Sequence, residues 1–279
     1  MGSEQNGGPL VSCKWLSEHL NDDSLIIVDC RYSLKDKGFG KSEYGNGHIP
    51  GAYFLDMEKE LTGNVGKHGG RHPLPDIVSF QESMNRIGLE NGKTVIAYDG
   101  DGSGASRLWW MLNYFGHNSA KILDGGFQEW IDSGLPVTVE IPPERAGNFK
   151  ARITGHILVS REDLDKLPHG SKIIDVRDRE RYLGITEPID RIAGHIPGAI
   201  NIPYKDIIDK PGKFRRREEL EKLFSESGDE PVVYCGSGIT SCVNFVALES
   251  IGKHPKLYAG SWSDWISYED SEIATGEHS

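Results

Sequence analysis

Cysteine is scarce in this sequence, with only four residues among 279, at Cys13, Cys30, Cys235 and Cys242. They are too few for a disulfide scaffold, and no two of them have the Cys-x-x-Cys spacing of a zinc site. The HExxH spacing of zinc proteases is also missing, and the glycine-rich segment after Cys235 lacks the GK[ST] ending of a phosphate-binding loop. We therefore expect reduced thiols, a cytoplasmic protein, and no metal, nucleotide or flavin cofactor.

An excess of basic charge and a long apolar segment are missing as well. The chain has 31 basic and 42 acidic residues, which gives a net charge of −11 and argues against nucleic acid or an anionic membrane as a partner. No run of about 18 apolar residues and no charged-then-apolar leader is found. The sequence thus predicts a soluble protein that is neither exported nor embedded in a membrane.

What the chain does contain is a second copy of its own pattern. A Gly-His-Ile-Pro-Gly-Ala block at 47–52 returns at 194–199, and an apolar run that ends in Asp-x-Arg precedes each copy. Two further pairs of blocks follow in the same order, 95–100 with 232–236 and 125–130 with 260–265. Four blocks in a fixed order indicate a tandem duplication and not a solenoid, whose repeats are about 20 to 50 residues long.

The repeat predicts two domains, at 9–135 and 153–270, separated by a proline-containing linker at 136–152. In each domain short β-rich runs alternate with helical patterns, which is typical of an α/β fold with a parallel sheet flanked by helices. In the first copy we expect, in chain order, a helix at 11–20, a strand at 25–28, a helix at 80–87, a strand at 94–98, a helix at 106–115 and a strand at 120–123.

The segment YCGSGITS at 234–241 is the strongest candidate for chemistry. An apolar run ends at Cys235, two glycines follow within three residues, and a helical pattern begins soon afterwards at 243–248. In such a strand-to-helix turn, glycines let backbone N–H groups point inward, and the helix N-terminus favours an anion. A thiolate is stabilised there, so Cys235 is a candidate nucleophile. The alternative is a small buried apolar residue at a strand end.

The ordered blocks, together with the Cys-Gly-Ser-Gly-Ile-Thr loop, resemble the two-domain rhodanese family of thiosulfate and 3-mercaptopyruvate sulfurtransferases. The resemblance runs from Val11 to Trp265. It implies that Cys235 takes sulfur from a small-molecule donor as a persulfide and passes it to cyanide, a small thiol or a thioredoxin-like protein. In the first copy Asp99 stands at the equivalent strand end. A carboxylate cannot carry this sulfur, so the first domain is expected to be catalytically silent.

The resemblance also implies roles for residues outside the loop. Asp56 and His72 match residues that reach the cysteine loop in mercaptopyruvate enzymes, and with Ser237 they imply a proton-handling group at Cys235. That role suits the chemistry, because removing sulfur from mercaptopyruvate leaves an enolate that must be protonated. The alternative is that Arg71 and His72 only cover a glycine-rich surface loop.

Two arginines complete the implied substrate site. Arg181 and Arg191 match the pair that binds the substrate carboxylate in mercaptopyruvate enzymes, a role that suits the planar guanidinium fork. An exposed charged loop is the alternative. The loop residues expected to contact the substrate or the persulfide are Gly236, Gly238, Ile239 and Thr240.

The loop also bears on which donor is used. Thiosulfate-preferring relatives carry Arg and Lys directly after the cysteine, whereas Gly236 and Ser237 are neutral here. We therefore favour 3-mercaptopyruvate as the donor, with thiosulfate as the alternative. The dual-specificity phosphatases of this fold need an arginine where Ser241 stands, which disfavours phosphatase activity. A persulfide carrier that performs no turnover of its own stays open.

Residues that recur in both copies are assigned to the fold, because one copy is expected to be silent. Cys13 and Cys30 are assigned to packing. Cys242 is expected on a buried helix face, and a redox partnership with Cys235 is the alternative. The recurring polar residues are Asp29, Arg31 and His48 in the first copy and Asp175, Arg177 and His195 in the second.

Overall fold

The computed structural model describes residues 8–277, and the chain forms two compact units. The N-terminal unit contains the described residues up to Gly63, together with Pro75–Thr154 and Lys210–Phe214. The C-terminal unit contains Asn64–Leu74, Gly155–Asp209 and the described residues from Arg215 onward. Each unit therefore includes a short segment from the other half of the sequence.

The N-terminal unit is built on a five-stranded sheet of order β1-β5-β4-β2-β3 in which all neighbouring strands are parallel. Its elements, in chain order, are β1 (Leu10–Val11), α1 (Cys13–Glu18), β2 (Leu25–Asp29), α2 (Phe39–Asn46), β3 (Tyr53–Phe54), α3 (Ile77–Arg86), β4 (Thr94–Tyr98), α4 (Ser103–Tyr114), β5 (Ala120–Leu123) and α5 (Gly126–Asp132).

The C-terminal unit repeats this topology with a parallel sheet of order β6-β12-β11-β7-β8. The elements of the second half are β6 (Leu158–Val159), α6 (Arg161–Leu164), β7 (Ile173–Asp175), α7 (Arg179–Tyr182), β8 (Ala199–Asn201), a 3₁₀ turn (Tyr204–Asp206), β9 (Ile208–Lys210), β10 (Lys213–Phe214), α8 (Arg217–Leu223), β11 (Val232–Tyr234), α9 (Ser241–Ser250), β12 (Lys256–Tyr258) and α10 (Ser261–Trp265). The predicted duplication and the α/β class are both confirmed.

The helix that follows the fourth main strand is buried on nearly every side in both units. All residues of α4 except Asn113 are buried, and in α9 burial is continuous from Ser241 to Leu248. Burial all round marks a helix within the core of its domain and not on its surface. The turn that precedes each helix is consequently held on a rigid element.

Some predicted element boundaries are wrong at their ends. Val11, expected in a helix, belongs to β1, where it pairs with Leu123 at the edge of the sheet. The helix begins only after Ser12, whose hydroxyl accepts the N–H of Trp15 at 3.1 Å. Sheet pairing overrides the helical pattern here, and a serine cap sets the boundary.

The recurring Asp-x-Arg and GHIPGA blocks form the same buried contacts in both units. Arg31 pairs with Asp29 at 2.6 Å and donates to the carbonyl of Gly47 at 2.7 Å. Arg177 pairs with Asp175 at 2.5 Å and donates to the carbonyl of Gly194 at 2.5 Å. Each pair therefore ties the end of a strand to the following GHIPGA turn.

The two GHIPGA histidines also belong to the fold. His48 is buried, its Nδ1 lies 2.8 Å from the Tyr44 carbonyl oxygen, and its ring stacks on Tyr44 at 3.8 Å. His195 makes the matching contacts with Tyr182, at 2.7 Å and 3.8 Å. The assignment of both histidines to structure is confirmed.

The segment predicted as a linker lies within the N-terminal unit. Thr138 forms a two-way backbone bridge with His48, at 2.9 Å in each direction, and Phe149 is buried. It contains no helix or extended strand, in line with its proline content. In the part of the chain that the structure describes, no helix is both long enough and apolar enough to cross a membrane.

The Asp29–Arg31 pair offers a test of the fold in the unit without the cysteine. Replacing Asp29 by Asn leaves a buried guanidinium without its anion, so we expect a loss of about 3 to 5 kcal/mol in the unfolding free energy of this unit. Urea unfolding measures it. The Glu58–Lys37 pair, 2.9 Å apart with Glu58 28% and Lys37 80% exposed, supplies the control: Glu58→Gln should cost under about 1 kcal/mol. Equal losses in both variants would contradict the fold role.

Candidate active site

The Cys235 thiol lies directly after β11, in the turn that leads into α9, and is 2% exposed. The N–H of Gly238 points at its Sγ at 3.0 Å, and the hydroxyl of Ser241 lies 3.5 Å from the same atom. The turn therefore surrounds the sulfur with donors, as expected from the glycines and the helix N-terminus.

These donors decide the charge of the sulfur. Burial alone would raise the pKa of the Cys235 thiol, but the hydroxyls of Ser241 and Thr240 and the backbone N–H groups of Ser237 and Ser241 outweigh it and lower the pKa to about 7. Burial instead raises the pKa of Cys13 to about 11 and that of Cys30 above its usual range. Cys235 is thus the thiol that ionises near neutral pH, while Cys13 and Cys30 stay protonated.

Two glycines of the cysteine loop are required because neighbouring atoms lie too close to leave room for a side chain. Gly238 has a φ of +80°, and a Cβ there would lie 2.2 Å from the carbonyl oxygen of Ala259. A Cβ on Gly236 would lie 3.0 Å from Nη2 of Arg71 and 3.4 Å from Nη2 of Arg181. The first glycine lets the turn close, and the second leaves room for two guanidinium groups beside the nucleophile.

The other loop residues act through the turn and the core. Thr240 is the N-cap position of α9, and Ile239 is buried with its carbonyl accepting the N–H of Cys242 at 3.0 Å. The sulfur of Cys242 lies 3.4 Å from the Gly238 carbonyl oxygen, on the buried part of α9. These contacts agree with a packing role for Cys242.

A segment from the first half of the sequence, Asn64–Leu74, forms part of the C-terminal unit. It is held there by specific contacts: the N–H of Gly69 donates to Asp264 at 2.6 Å, the N–H of Arg71 donates to Ser263 at 3.1 Å, and the ring of His68 stacks on Tyr268 at 4.0 Å. Arg71 and His72 are consequently fixed residues of the unit that contains Cys235.

Of the predicted proton-handling group, the structure joins His72 and Ser237. Nδ1 of His72 lies 2.8 Å from the Ser237 hydroxyl oxygen, and both side chains are buried. Asp56 belongs to the N-terminal unit, where its carboxylate accepts the N–H of Glu58 at 3.0 Å and pairs with Lys59 at 3.3 Å. The role of Asp56 in the site stays a prediction.

The arginines beside the loop are Arg71 and Arg181. Arg181 pairs with Asp190 at 3.1 Å, and Arg71 pairs with the same carboxylate. Arg191, the predicted second arginine, donates to the carbonyl of Ile266. Sequence reasoning missed Arg71, since it was weighed only as part of a surface loop; its position directly before His72 was the signal that could have identified it.

The first copy contains the same turn with a carboxyl group in place of the thiol. The carboxylate of Asp99 is buried and accepts the N–H groups of Gly102, Gly104 and Ala105 at 2.7, 2.6 and 3.1 Å. Burial, with a smaller contribution from Asp101, raises the pKa of Asp99 to about 7 despite these bonds. A carboxylate thus lies where the other unit holds a thiol.

The profile of rhodanese-like domains matches the chain twice, at residues 12–133 and 160–268. The chain belongs to the rhodanese family. The two halves of the chain, each with its own parallel sheet, are therefore the two domains of a rhodanese. The rhodanese fold supports sulfur transfer through a persulfide.

Several relatives in this family are similar over almost the whole chain. A probable 3-mercaptopyruvate sulfurtransferase of Pseudomonas aeruginosa is 38% identical over 96% of this chain and 98% of its own. A putative thiosulfate sulfurtransferase, SseB of Mycobacterium tuberculosis, is 35% identical over 91% and 92%. The crystal structure of SseA from Escherichia coli, described as a 3-mercaptopyruvate sulfotransferase, superposes with a TM-score of 0.81 at 32% identity, covering 92% of this chain and 100% of that one.

The donor groups around Cys235 predict how its reactivity depends on pH. Because the pKa of the thiol is about 7, alkylation by iodoacetamide should rise about tenfold per pH unit below 7 and level off above it, since only the thiolate reacts. Ser241→Ala removes one donor and should move the inflection to higher pH. A profile with its inflection near the 9.0 of an ordinary thiol would contradict this account.

The turn itself can be tested with two matched glycines. Gly252 has a φ of +86° and nothing within 4 Å of a built Cβ, so Gly252→Ala meets backbone strain alone and should cost about 1 to 2 kcal/mol. Gly238→Ala meets the same strain and the Ala259 carbonyl as well. We expect it to lower the alkylation rate of Cys235 about tenfold or more at pH 7, while Gly252→Ala leaves that rate unchanged. Equal rates in both would contradict the close fit.

Proposed function

We propose that this protein is a sulfurtransferase that moves a sulfane sulfur from 3-mercaptopyruvate, through a persulfide on Cys235, to a nucleophilic acceptor. The observation that carries the proposal is the buried Cys235 thiolate in a turn of N–H and hydroxyl donors. Such donors stabilise negative charge on the sulfur before and after it is loaded.

The first half-reaction balances without a cofactor. The Cys235 thiolate attacks the sulfur of the donor, an S–S bond forms, and the C–S bond breaks with its electron pair passing to carbon. The products are the Cys235 persulfide and the enolate of pyruvate, which then takes up one proton. In the second half-reaction an acceptor thiolate or cyanide attacks the outer sulfur and releases the Cys235 thiolate.

His72 and Ser237 are suited to supply the proton. Ser237 lies two residues after Cys235 in the same turn, and His72 contacts its hydroxyl at 2.8 Å. A histidine can hold and release a proton near neutral pH.

The donor carboxylate would bind between Arg71 and Arg181, whose guanidinium groups both approach Gly236. Guanidinium forks match a carboxylate in shape and charge. The residues that follow Cys235 are neutral, whereas a dianionic donor would gain from cations there: one charge pair at 4 Å is worth about 4 kcal/mol at an effective dielectric of 20 before solvent losses. This difference favours mercaptopyruvate over thiosulfate.

We propose a small thiol, cyanide or a thioredoxin-like protein as the acceptor. The cytoplasm is the proposed compartment, because all four cysteines are free thiols in the structure and thiols stay reduced in a reducing compartment.

The function is tested by steady-state kinetics with both donors and one acceptor. We expect kcat/KM to be higher for 3-mercaptopyruvate than for thiosulfate, with many turnovers per chain, and Cys235→Ser to abolish both activities. A clear preference for thiosulfate would contradict the donor assignment. Release of no more than one sulfur per chain would indicate a persulfide carrier instead.

The proton-handling role has its own test. His72→Asn and Ser237→Ala should each lower kcat with 3-mercaptopyruvate about a hundredfold, because the enolate must be protonated. Turnover of thiosulfate should change much less, since its leaving group, sulfite, is released without protonation at carbon. Equal losses with both donors would indicate that the two residues only support the turn.

A further inference from the structure

The charged side chains beside the cysteine turn form one continuous series in which acids and bases alternate. Asp175 pairs with Arg177 at 2.5 Å, Arg177 with Glu187 at 3.2 Å, Glu187 with Arg181 at 2.8 Å, and Arg181 with Asp190 at 3.1 Å; Arg71 then completes the series by pairing with Asp190. All six residues lie in the C-terminal unit. The series contains three acids and three bases, so its formal charges cancel.

Asp190 occupies the decisive place in this series. Its side chain is only 4% exposed, and its two carboxylate oxygens contact different arginines, Oδ1 that of Arg71 and Oδ2 that of Arg181. Those are the two guanidinium groups that approach Gly236, next to Cys235. A fixed carboxylate is therefore shared by both cations of the substrate site.

We propose that Asp190 determines donor selectivity by cancelling one of the two positive charges beside Cys235, which favours a donor with a single anionic group over a dianion. This inference rests on the proposed function and deepens it, since it names the residue that would set the choice of donor.

The physical reason is a difference between two binding free energies. A monocarboxylate needs one guanidinium fork and little further charge, so a series whose formal charges cancel suffices for it. A dianion such as thiosulfate loses more from the nearby carboxylate, because both of its charges are repelled by Asp190. A fixed like charge that disfavours the wrong ligand is a common source of specificity.

The structure also separates this role from mere support of the arginines. Arg181 has a second partner in Glu187, through Nε at 3.0 Å and 2.9 Å from the two carboxylate oxygens. Arg71 is anchored through its own backbone N–H to Ser263 at 3.1 Å. Neutralising Asp190 should thus leave both arginines near the turn and give the series one net positive charge.

The main experiment measures kcat/KM for thiosulfate and for 3-mercaptopyruvate in Asp190→Asn, and takes the ratio of the two. We expect this ratio to rise about tenfold or more relative to the unmodified protein, corresponding to about 1.4 kcal/mol, and the rise to shrink at high salt. Asp190→Glu keeps the charge and should keep the original ratio even if both rates fall. If Asp190 only held the loop in place, its substitution would lower kcat/KM for both sulfur donors by the same factor.

A matched control is available in the same unit. Asp165 pairs with Arg161 at 2.5 Å on the surface, so Asp165→Asn removes one carboxylate charge from an Asp–Arg pair that does not belong to the series. We expect an unchanged donor ratio in that variant. A change as large as that of Asp190→Asn would reduce the effect to overall charge and overturn the proposal.

A measurement on the unmodified protein keeps the proposal testable even if the neutral variants fail to fold. Because the series is neutral with Asp190 in place, pyruvate should inhibit at least as well as sulfate at equal ionic strength. Much tighter inhibition by sulfate, or an unchanged donor ratio in folded Asp190→Asn, overturns the role of Asp190. Failure of the proposed function is distinct, because the donor preference of the unmodified protein tests that function, whereas the change on substitution and the inhibition by the two anions test Asp190.

Discussion

The structure depends on one constraint: backbone N–H groups converge at the end of the fourth main strand of each sheet, and they need an anion. In the N-terminal unit the carboxylate of Asp99 accepts these N–H groups; in the C-terminal unit the sulfur of Cys235 accepts the equivalent one from Gly238. Both turns lead into a helix that is buried nearly all round, so neither can relax easily. The same fold therefore holds a carboxylate in one copy and a thiol in the other.

The charges around the reactive copy follow from the same logic. A turn that stabilises a thiolate also attracts other anions. Selectivity between sulfur donors must therefore come from the residues that surround the turn. Asp175, Glu187 and Asp190 balance Arg177, Arg181 and Arg71 there. The Asp175–Arg177 pair connects this series to β7, just as the Asp29–Arg31 pair lies at the end of β2. A contact that recurs in both units thus continues, in the C-terminal unit, into the charged series beside Cys235.

The fold and the cysteine turn could largely be predicted from the sequence, because local patterns and an internal repeat indicate them. The duplicated blocks predicted two copies of one domain with a parallel sheet, and the glycines predicted the turn at Cys235. The segment that carries Arg71 could not be placed in this way, since its attachment to Asp264 and Ser263 joins residues nearly two hundred positions apart. Arg191 was predicted from the resemblance to mercaptopyruvate enzymes, and its guanidinium donates to the Ile266 carbonyl. The prediction of Val11 as helical was wrong for a related reason, because its pairing with the distant Leu123 outweighs the local helical pattern.

The central claim is that the hydrogen-bond donors around Cys235 make this thiol the one that takes up the sulfane sulfur. Mass spectrometry of the intact and digested protein, after exposure to 3-mercaptopyruvate without an acceptor, tests this most directly. The account predicts an added mass of about 32 Da, one sulfur atom, on the Cys235 peptide and on no other cysteine peptide, and its removal by cyanide. An unmodified Cys235, or sulfur distributed equally over Cys13, Cys30 and Cys242, would contradict it.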